Sequence, residues 1–250
     1  MLAHRVIPCL DIDDSRVVKG VRFQGLRDAG DPVGCAREYE AQGADEIVIL
    51  DVSATPQGRA NNLAVVAAVR RVLSIPLCVG GGVRSPEDAA RLLDAGADKV
   101  AINTAAVERP GLIDEMGSRF GSQCTVVAID AARRDGGWEV VVHSGDTRTG
   151  RDVVQWATTS VAHGAGEILL TSWDRDGTGD GYDTELIRAV TDAVNVPVIA
   201  SGGARGPEDM VAAIEAGASA ALVASILHDS VDTVQGLKSG LASAGIGVRP

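Results

Sequence analysis

A closed ring of eight parallel strands wrapped by helices, the single (β/α)8 or TIM barrel of the α/β class, is the fold this sequence predicts. Three observations carry that prediction. Short β-branched runs alternate with longer amphipathic stretches along the chain. The runs number eight, at 5–11, 46–51, 76–80, 99–102, 124–130, 167–172, 197–200 and 220–224. Finally, the two halves of the chain can be laid on one another, giving approximate half-barrels 1–122 and 123–250. A length of 250 residues is usual for one such barrel, so the expectation is a single domain spanning 1–250.

The composition suits these elements. Hydrophobic residues make up 45% and aromatics only 3%, so the core must be built from Val, Ile, Leu and Ala, as parallel strands covered on both faces require. Helix starts are marked by Asp31-Pro32, Ser85-Pro86-Glu87-Asp88 and Gly206-Pro207-Glu208-Asp209, with proline at the first helical position and acids expected near the positive dipole end. Two connections are long. The stretch 16–30 carries Lys19 and Phe23 between Gly20, Gly25 and Gly30 and reads as a lid or binding loop with hinge-like glycines. The stretch 131–149 contains Asp135-Gly136-Gly137 before an alternating segment and reads as a small hairpin.

The repeat keeps one constant offset: Pro76 falls on Pro197, Pro86 on Pro207, Gly96 on Gly217 and Thr104 on Ser225, each 121 positions later. It also carries Gly43 to Gly164 and Glu46 to Glu167. Approximate two-fold symmetry about the barrel axis follows, so a ligand site in one half has a counterpart across the mouth.

A net charge of −11 gives no electrostatic reason to bind nucleic acid or an anionic membrane. The scattered cysteines (Cys9, Cys35, Cys78, Cys124) read as buried free thiols of a reducing compartment. No signal-like or membrane-spanning stretch stands out, so a cytoplasmic protein is expected. His4, His143, His163 and His228 show no ligand spacing; neither a metal nor a cofactor is implied.

The third strand runs into Gly80-Gly81-Gly82 and the seventh into Ser201-Gly202-Gly203, each followed by a proline-initiated helix. Such glycines serve tight turns, but their duplication, each followed one unit later by a small hydroxyl residue, points to two phosphate sites. One combines backbone N–H groups of Gly82 with those of Asn103 and Thr104. The other combines Gly203 with Ala224 and Ser225, and with Asp176-Gly177. Two sites across the mouth suit an elongated bisphosphate. Asp11 and Asp130 end the first and fifth strands, where a carboxylate points into the mouth, and two facing acids can divide acid and base roles. Asp51 and Asp176 read as acceptors for ligand hydroxyls.

At the opposite strand ends lie Arg5, Glu46, Lys99 and Glu167, alternating in sign. A stability layer at the barrel bottom is the ordinary reading of such a ring. Only three of the 23 basic residues are lysines, however, and two of them are Lys19 and Lys99, which suggests that a compact ammonium is wanted there.

These motifs resemble those of the cyclase subunits of imidazole glycerol phosphate synthase, from histidine biosynthesis. The resemblance covers essentially the whole chain. It rests on Cys9-Leu10-Asp11 with Val17-Val18-Lys19-Gly20, Leu26-Arg27-Asp28 with Gly30-Asp31-Pro32, Gly80-Gly81-Gly82, and Asp98-Lys99-Val100 with Ile102-Asn103-Thr104-Ala105. It continues through Ala128-Ile129-Asp130, Gly166-Glu167-Ile168-Leu169-Leu170-Thr171-Ser172, Asp174-Arg175-Asp176-Gly177-Thr178, Gly181-Tyr182-Asp183 and Ala200-Ser201-Gly202-Gly203. The resemblance implies ammonia addition to a ribulosyl ketone, ring closure and C–N cleavage, with Asp11 and Asp130 as the catalytic pair and Lys19, Asp51, Thr171 and Ser201 touching substrate. It further implies a glutaminase partner docked on the N-terminal face near Asp98, with Arg5, Glu46, Lys99 and Glu167 becoming an ammonia gate. Residues 51–55 depart slightly from the family's usual Thr and Ser positions, though Ser53 and Thr55 keep hydroxyls. The alternatives are the sister isomerase barrel of the same pathway, a related cyclase acting on surface-sugar precursors, and a non-catalytic phosphosugar-binding barrel.

Overall fold

The computed structural model describes residues 3–21 and 24–250, with the side chains of 21 and 24–26 outside the description. Phe23, expected in the first binding loop, therefore lies outside the described residues. The first half contains strands β1 (Arg5–Asp13), β2 (Arg16–Val21), β3 (Gln24–Gly30), β4 (Ile47–Asp51), β5 (Leu77–Gly80) and β6 (Lys99–Ile102). Its helices are α1 (Pro32–Ala41), α2 (Leu63–Arg70), α3 (Pro86–Asp94), α4 (Thr104–Glu108) and α5 (Gly111–Phe120). The second half contains β7 (Thr125–Arg134), β8 (Gly137–Val142), β9 (Thr147–Asp152), β10 (Glu167–Ser172), β11 (Val198–Ser201) and β12 (Ala220–Val223). Its helices are α6 (Val153–Ala162), α7 (Thr184–Thr191), α8 (Pro207–Glu215), α9 (Ser225–His228) and α10 (Val234–Ser243).

Eight strands pair in parallel in the order β10, β11, β12, β1, β4, β5, β6, β7, and β7 pairs back onto β10 to close the barrel. Each matches one of the eight expected runs to within one residue at every end but two. Two strands run past their expected ends because antiparallel partners extend them: β1 pairs with β2 at Ile12 and Val17, and β7 pairs with β8 from Asp130 to Arg134. The second of these is the hairpin expected over 131–149. The 16–30 stretch differs from the glycine-hinged loop expected there, since β2 and β3 form an antiparallel hairpin with shifted register. Its buried Val17 and Val18 supply the apolar anchor, and Gly20 lies inside β2 rather than at a hinge.

Proline marks the helix starts as expected. Asp31 caps α1 by accepting from the Gly34 N–H at 2.7 Å, and Ser85 and Asp88 form a reciprocal capping box on α3. No acid occupies the first turn of α1, contrary to the pattern expected there, so the cap carries that end. The cysteines are free, but only Cys9 and Cys78 are fully buried.

Strand side chains alternate between two cores, and that alternation positions the site. Val6, Leu10 and Ile12 face the helices, whereas Ile7 and Cys9 face the barrel interior with Val48, Cys78, Ala101, Val126, Leu169, Ile199, Ala220 and Leu222. Alternate residues thus form columns along the interior: Arg5, Ile7, Cys9, Asp11; Glu46, Val48, Leu50; Lys99, Ala101, Asn103; Val126, Ala128, Asp130; Glu167, Leu169, Thr171. Each of the four charged residues of the ring lies at the foot of a column, and polar groups stand at most of the tops.

Candidate active site

At the mouth, Asp11 and Asp130 are both buried, two residues beyond the apolar interior positions of their strands. Lys19, expected on a mobile lid, instead reaches from β2 into the mouth, where its Nζ lies 3.6 Å from Asp11 Oδ2 and 3.7 Å from Asp176 Oδ1. Burial opposes its charge, but Asp11 and Asp176 outweigh burial and leave the Lys19 ammonium held above its ordinary range. Asp130 has no ion pair among the described residues. Burial, reinforced by the negative charges of Asp176 and Asp11, pushes its carboxyl up to about 7, against hydrogen bonds from Asn103 and Thr171. A carboxyl balanced near neutrality facing one paired with a lysine is the arrangement acid–base chemistry needs.

Two cavities flank this centre. One, of about 250 Å³, is lined by Asp11, Lys19, Thr171, Asp176, Gly177, Ser201, Gly203, Ala224 and Ser225, which gathers the residues anticipated for one phosphate end. The other, of about 220 Å³, is lined by Gly82, Asn103, Thr104 and Asp130 together with Asp51, Thr55, His143 and Ser144. Thr171 and Leu50 border both, so the cavities meet over the barrel axis. The glycines are fixed by close approach: a Cβ on Gly81 would lie 2.2 Å from the Asp51 carbonyl oxygen, and one on Gly203 would lie 2.3 Å from that of Gly181.

Several details depart from what the sequence predicts. The Gly82 N–H, expected among the anion donors, donates to the Thr55 hydroxyl at 3.2 Å. Asp51 ends β4 on the register that faces away from the interior; both its oxygens accept from the Arg59 guanidinium at 2.7 Å, so it anchors the 52–59 segment rather than offering a bare acceptor. Asn103 is expected to act through its backbone, yet its side-chain Nδ2 donates to Asp130 Oδ2 at 2.8 Å. Counting alternate residues from Lys99 through Ala101 places Asn103 in the mouth, so a signal for this role does exist in the sequence.

Sequence reasoning misses His143 and Ser144. They occupy the turn between β8 and β9 with left-handed φ values of 54° and 58°. The His143 N–H donates to the Thr104 hydroxyl at 3.1 Å and the Ser144 hydroxyl to the Val52 carbonyl at 3.3 Å, tying this turn across the mouth to the first half. Behind the other cavity, His228 Nε2 donates to the Cys9 carbonyl at 3.1 Å while its Nδ1 accepts from the Tyr39 hydroxyl at 2.7 Å, which fixes α9 against β1. Backbone strain and through-space contacts of this kind leave no mark in residue spacing.

At the other end, Arg5, Glu46, Lys99 and Glu167 close into a ring. Arg5 Nη1 meets Glu46 Oε2 at 2.7 Å and its Nη2 meets Glu167, while Lys99 Nζ meets Glu46 Oε2 at 2.9 Å and Glu167 Oε2 at 2.8 Å. Each cation bridges both carboxylates, and the charges balance. Asp98 lies at the same end, half exposed, accepting from the Leu77 N–H at 2.8 Å and pairing with Arg70 at 3.1 Å. Among the described residues no cluster of three or more His, Cys, Asp or Glu is placed to hold a metal ion, and no helix is long and apolar enough to cross a membrane.

Fold and site together define a (β/α)8 barrel with an acidic centre between two glycine-bordered cavities at its C-terminal face. Its residues 5–233 match the family described as "Histidine biosynthesis protein", and the chain belongs to that family. A relative from Exiguobacterium sibiricum, "Imidazole glycerol phosphate synthase subunit HisF", is 52% identical over 249 residues, covering 100% of each chain.

Proposed function

We propose that this chain is the cyclase subunit of an imidazole glycerol phosphate synthase, a lyase of histidine biosynthesis in the cytoplasm. One barrel domain, with halves 1–122 and 123–250, takes phosphoribulosyl-formimino-aminoimidazole carboxamide ribotide and ammonia to imidazole glycerol phosphate and aminoimidazole carboxamide ribotide, with the ketone oxygen leaving as water. The full-length 52% identity supports the reaction class. The observation that carries the mechanism is the unequal acid pair: Asp130, pushed up to about 7, faces Asp11 beside Lys19. Asp130 holds a proton for departing oxygen and nitrogen, and Asp11 removes protons from nitrogen and carbon.

The two phosphates of the substrate occupy the flanking cavities, one against Gly82, Asn103 and Thr104, the other against Gly177, Gly203, Ala224 and Ser225, with Asp176 at its edge. Lys19, Thr171 and Ser201 border the reacting centre. Asp51 acts through Arg59 by holding the loop beside the first phosphate. Ammonia from a glutaminase subunit docked near Asp98 enters through the ring of Arg5, Glu46, Lys99 and Glu167, which must open to pass it along the apolar residues of the interior.

Purified chain given the ribulosyl bisphosphate and an ammonium salt should consume it and release imidazole glycerol phosphate. Asp11→Asn and Asp130→Asn should each lower turnover by about 10³-fold with substrate binding largely kept. Binding without consumption by the unaltered chain would favour the sister isomerase or a silent barrel.

A further inference from the structure

Among the polar contacts at the mouth, the bond between Asn103 and Asp130 has no part in the proposed reaction, where Asn103 serves only a phosphate. Asn103 tops the Lys99–Ala101 column and directs its amide sideways, Nδ2 donating to Asp130 Oδ2 at 2.8 Å. Its other amide atom, Oδ1, is buried and accepts no hydrogen bond among the described residues. The helix that follows, α4, takes no side-chain cap from Asn103. The side chain is therefore committed to Asp130 rather than to the local backbone.

We propose that Asn103 is a positioning residue for Asp130: its amide fixes one carboxyl oxygen and sets the pH at which the other gives up its proton. The inference rests on the acid–base reading of Asp130. An N–H donor favours the ionised carboxylate, and the surroundings of Asp130 otherwise favour the neutral acid. On β10 the in-register partner is Thr171, and beyond it lies Asp176; on β8 the partner is Val141; on β1 stands Asp11. Lys19, from β2, is shared between Asp11 and Asp176, while Asp51 and His143 border the same cavity. Asn103 is thus one of two groups, with Thr171, that hydrogen-bond Asp130 against burial and two negative charges. Without the amide the carboxyl keeps its proton to higher pH, and a group poised near neutrality becomes one that stays protonated.

The test is a carboxyl-carbon NMR titration of Asp130 in the full chain, alongside pH profiles of ammonia-dependent turnover. In Asn103→Leu, which keeps bulk and removes the donor, the Asp130 midpoint should rise by about one pH unit, and the limb of the activity profile that follows Asp130 should rise with it. Asn103→Ala should move both in the same direction. In the unaltered protein the side-chain amide resonances of Asn103 should titrate with the Asp130 midpoint, a readout that needs no variant to fold. Amide resonances indifferent to that titration, or an Asn103→Leu protein with an unmoved midpoint and only a raised KM, would overturn the proposal and leave Asn103 to the phosphate. Active Asp130→Asn would instead sink the acid–base reading while the shared titration stood.

Discussion

At the bottom of the barrel two cations meet two carboxylates, whereas at the mouth one ammonium, Lys19, meets Asp11 and Asp176, and a third carboxyl, Asp130, has no ion pair among the described residues. Only the β1 column carries a member of each, with Arg5 at its foot and Asp11 toward the mouth; Asp130 tops the Val126 column, and Lys19 reaches in from β2. The ring is neutral, and each of its members is paired; Arg5 and Lys99 are held above their ordinary ranges because their two glutamates outweigh burial. The mouth carries an excess of negative charge, and the excess falls on Asp130. Balanced charge makes a closed, ordered layer, while unbalanced charge leaves one proton loosely owned. That contrast separates a structural use of buried charge from a chemical one.

The sharpest way to break the comparison is to neutralise one acid at each end. An exposed aspartate titrates near 3.8, whereas folded Asp130 holds its proton up to about 7. The folded state therefore binds that proton more tightly, and the associated stability is present below pH 3.8 and lost as pH rises toward 7. Above that window Asp130→Asn should be more stable than the unaltered chain, by on the order of 3 kcal/mol, with the gain shrinking toward pH 4. Glu46→Gln should change stability by a similar amount in the opposite direction, because it strands Arg5 and Lys99 on one carboxylate. Denaturant melts at pH 5 and 8 check both signs, and equal signs would erase the distinction.

A smaller effect tests whether the ring is more than structure. Lys99→Ala opens one side of it, and together with the glutaminase it should lose roughly tenfold more turnover with glutamine than with ammonium salt. Equal losses in the two assays would confine the ring to stability. Smallest in rate, but direct in meaning, is Asp176→Asn: removing one of the negative charges that act on Asp130 should move its midpoint down from about 7, opposite to the Asn103 variants. A midpoint that stays put under titration would assign the elevation to burial alone.

Much of this architecture is legible in the amino-acid sequence. Apolar runs mark the eight barrel strands, Asp31-Pro32, Ser85-Pro86 and Gly206-Pro207 mark helix starts, and the half-barrel offset leads to both cavities. Those features are local or periodic, and sequence records them directly. The β2–β3 hairpin is hidden because Gly20, Gly25 and Gly30 interrupt its alternation, so a paired strand looks like a hinge. Asp51 and Asp11 both lie near the mouth ends of barrel strands but on opposite registers; Asp11 follows Cys9 on the interior register, whereas Asp51 reaches only the edge of one cavity and is clamped by Arg59. Asn103 against Asp130, and His143 against Thr104, join residues brought together by barrel closure, which residue identity alone does not encode.

The scarcity of lysine also has a practical side. Lys19 and Lys99 are joined by only one other, Lys238, whose Nζ lies 3.0 Å from buried Asp45. All three ε-amino groups are ion-paired, with side-chain exposures of 7%, 19% and 7%. The outer surface thus presents arginine but almost no lysine amine. Amine-directed reagents, which on most proteins label many indifferent surface positions, would here report on the mouth, the ring and the α10 anchor, and a change in acylation at Lys99 would register any opening of the barrel floor.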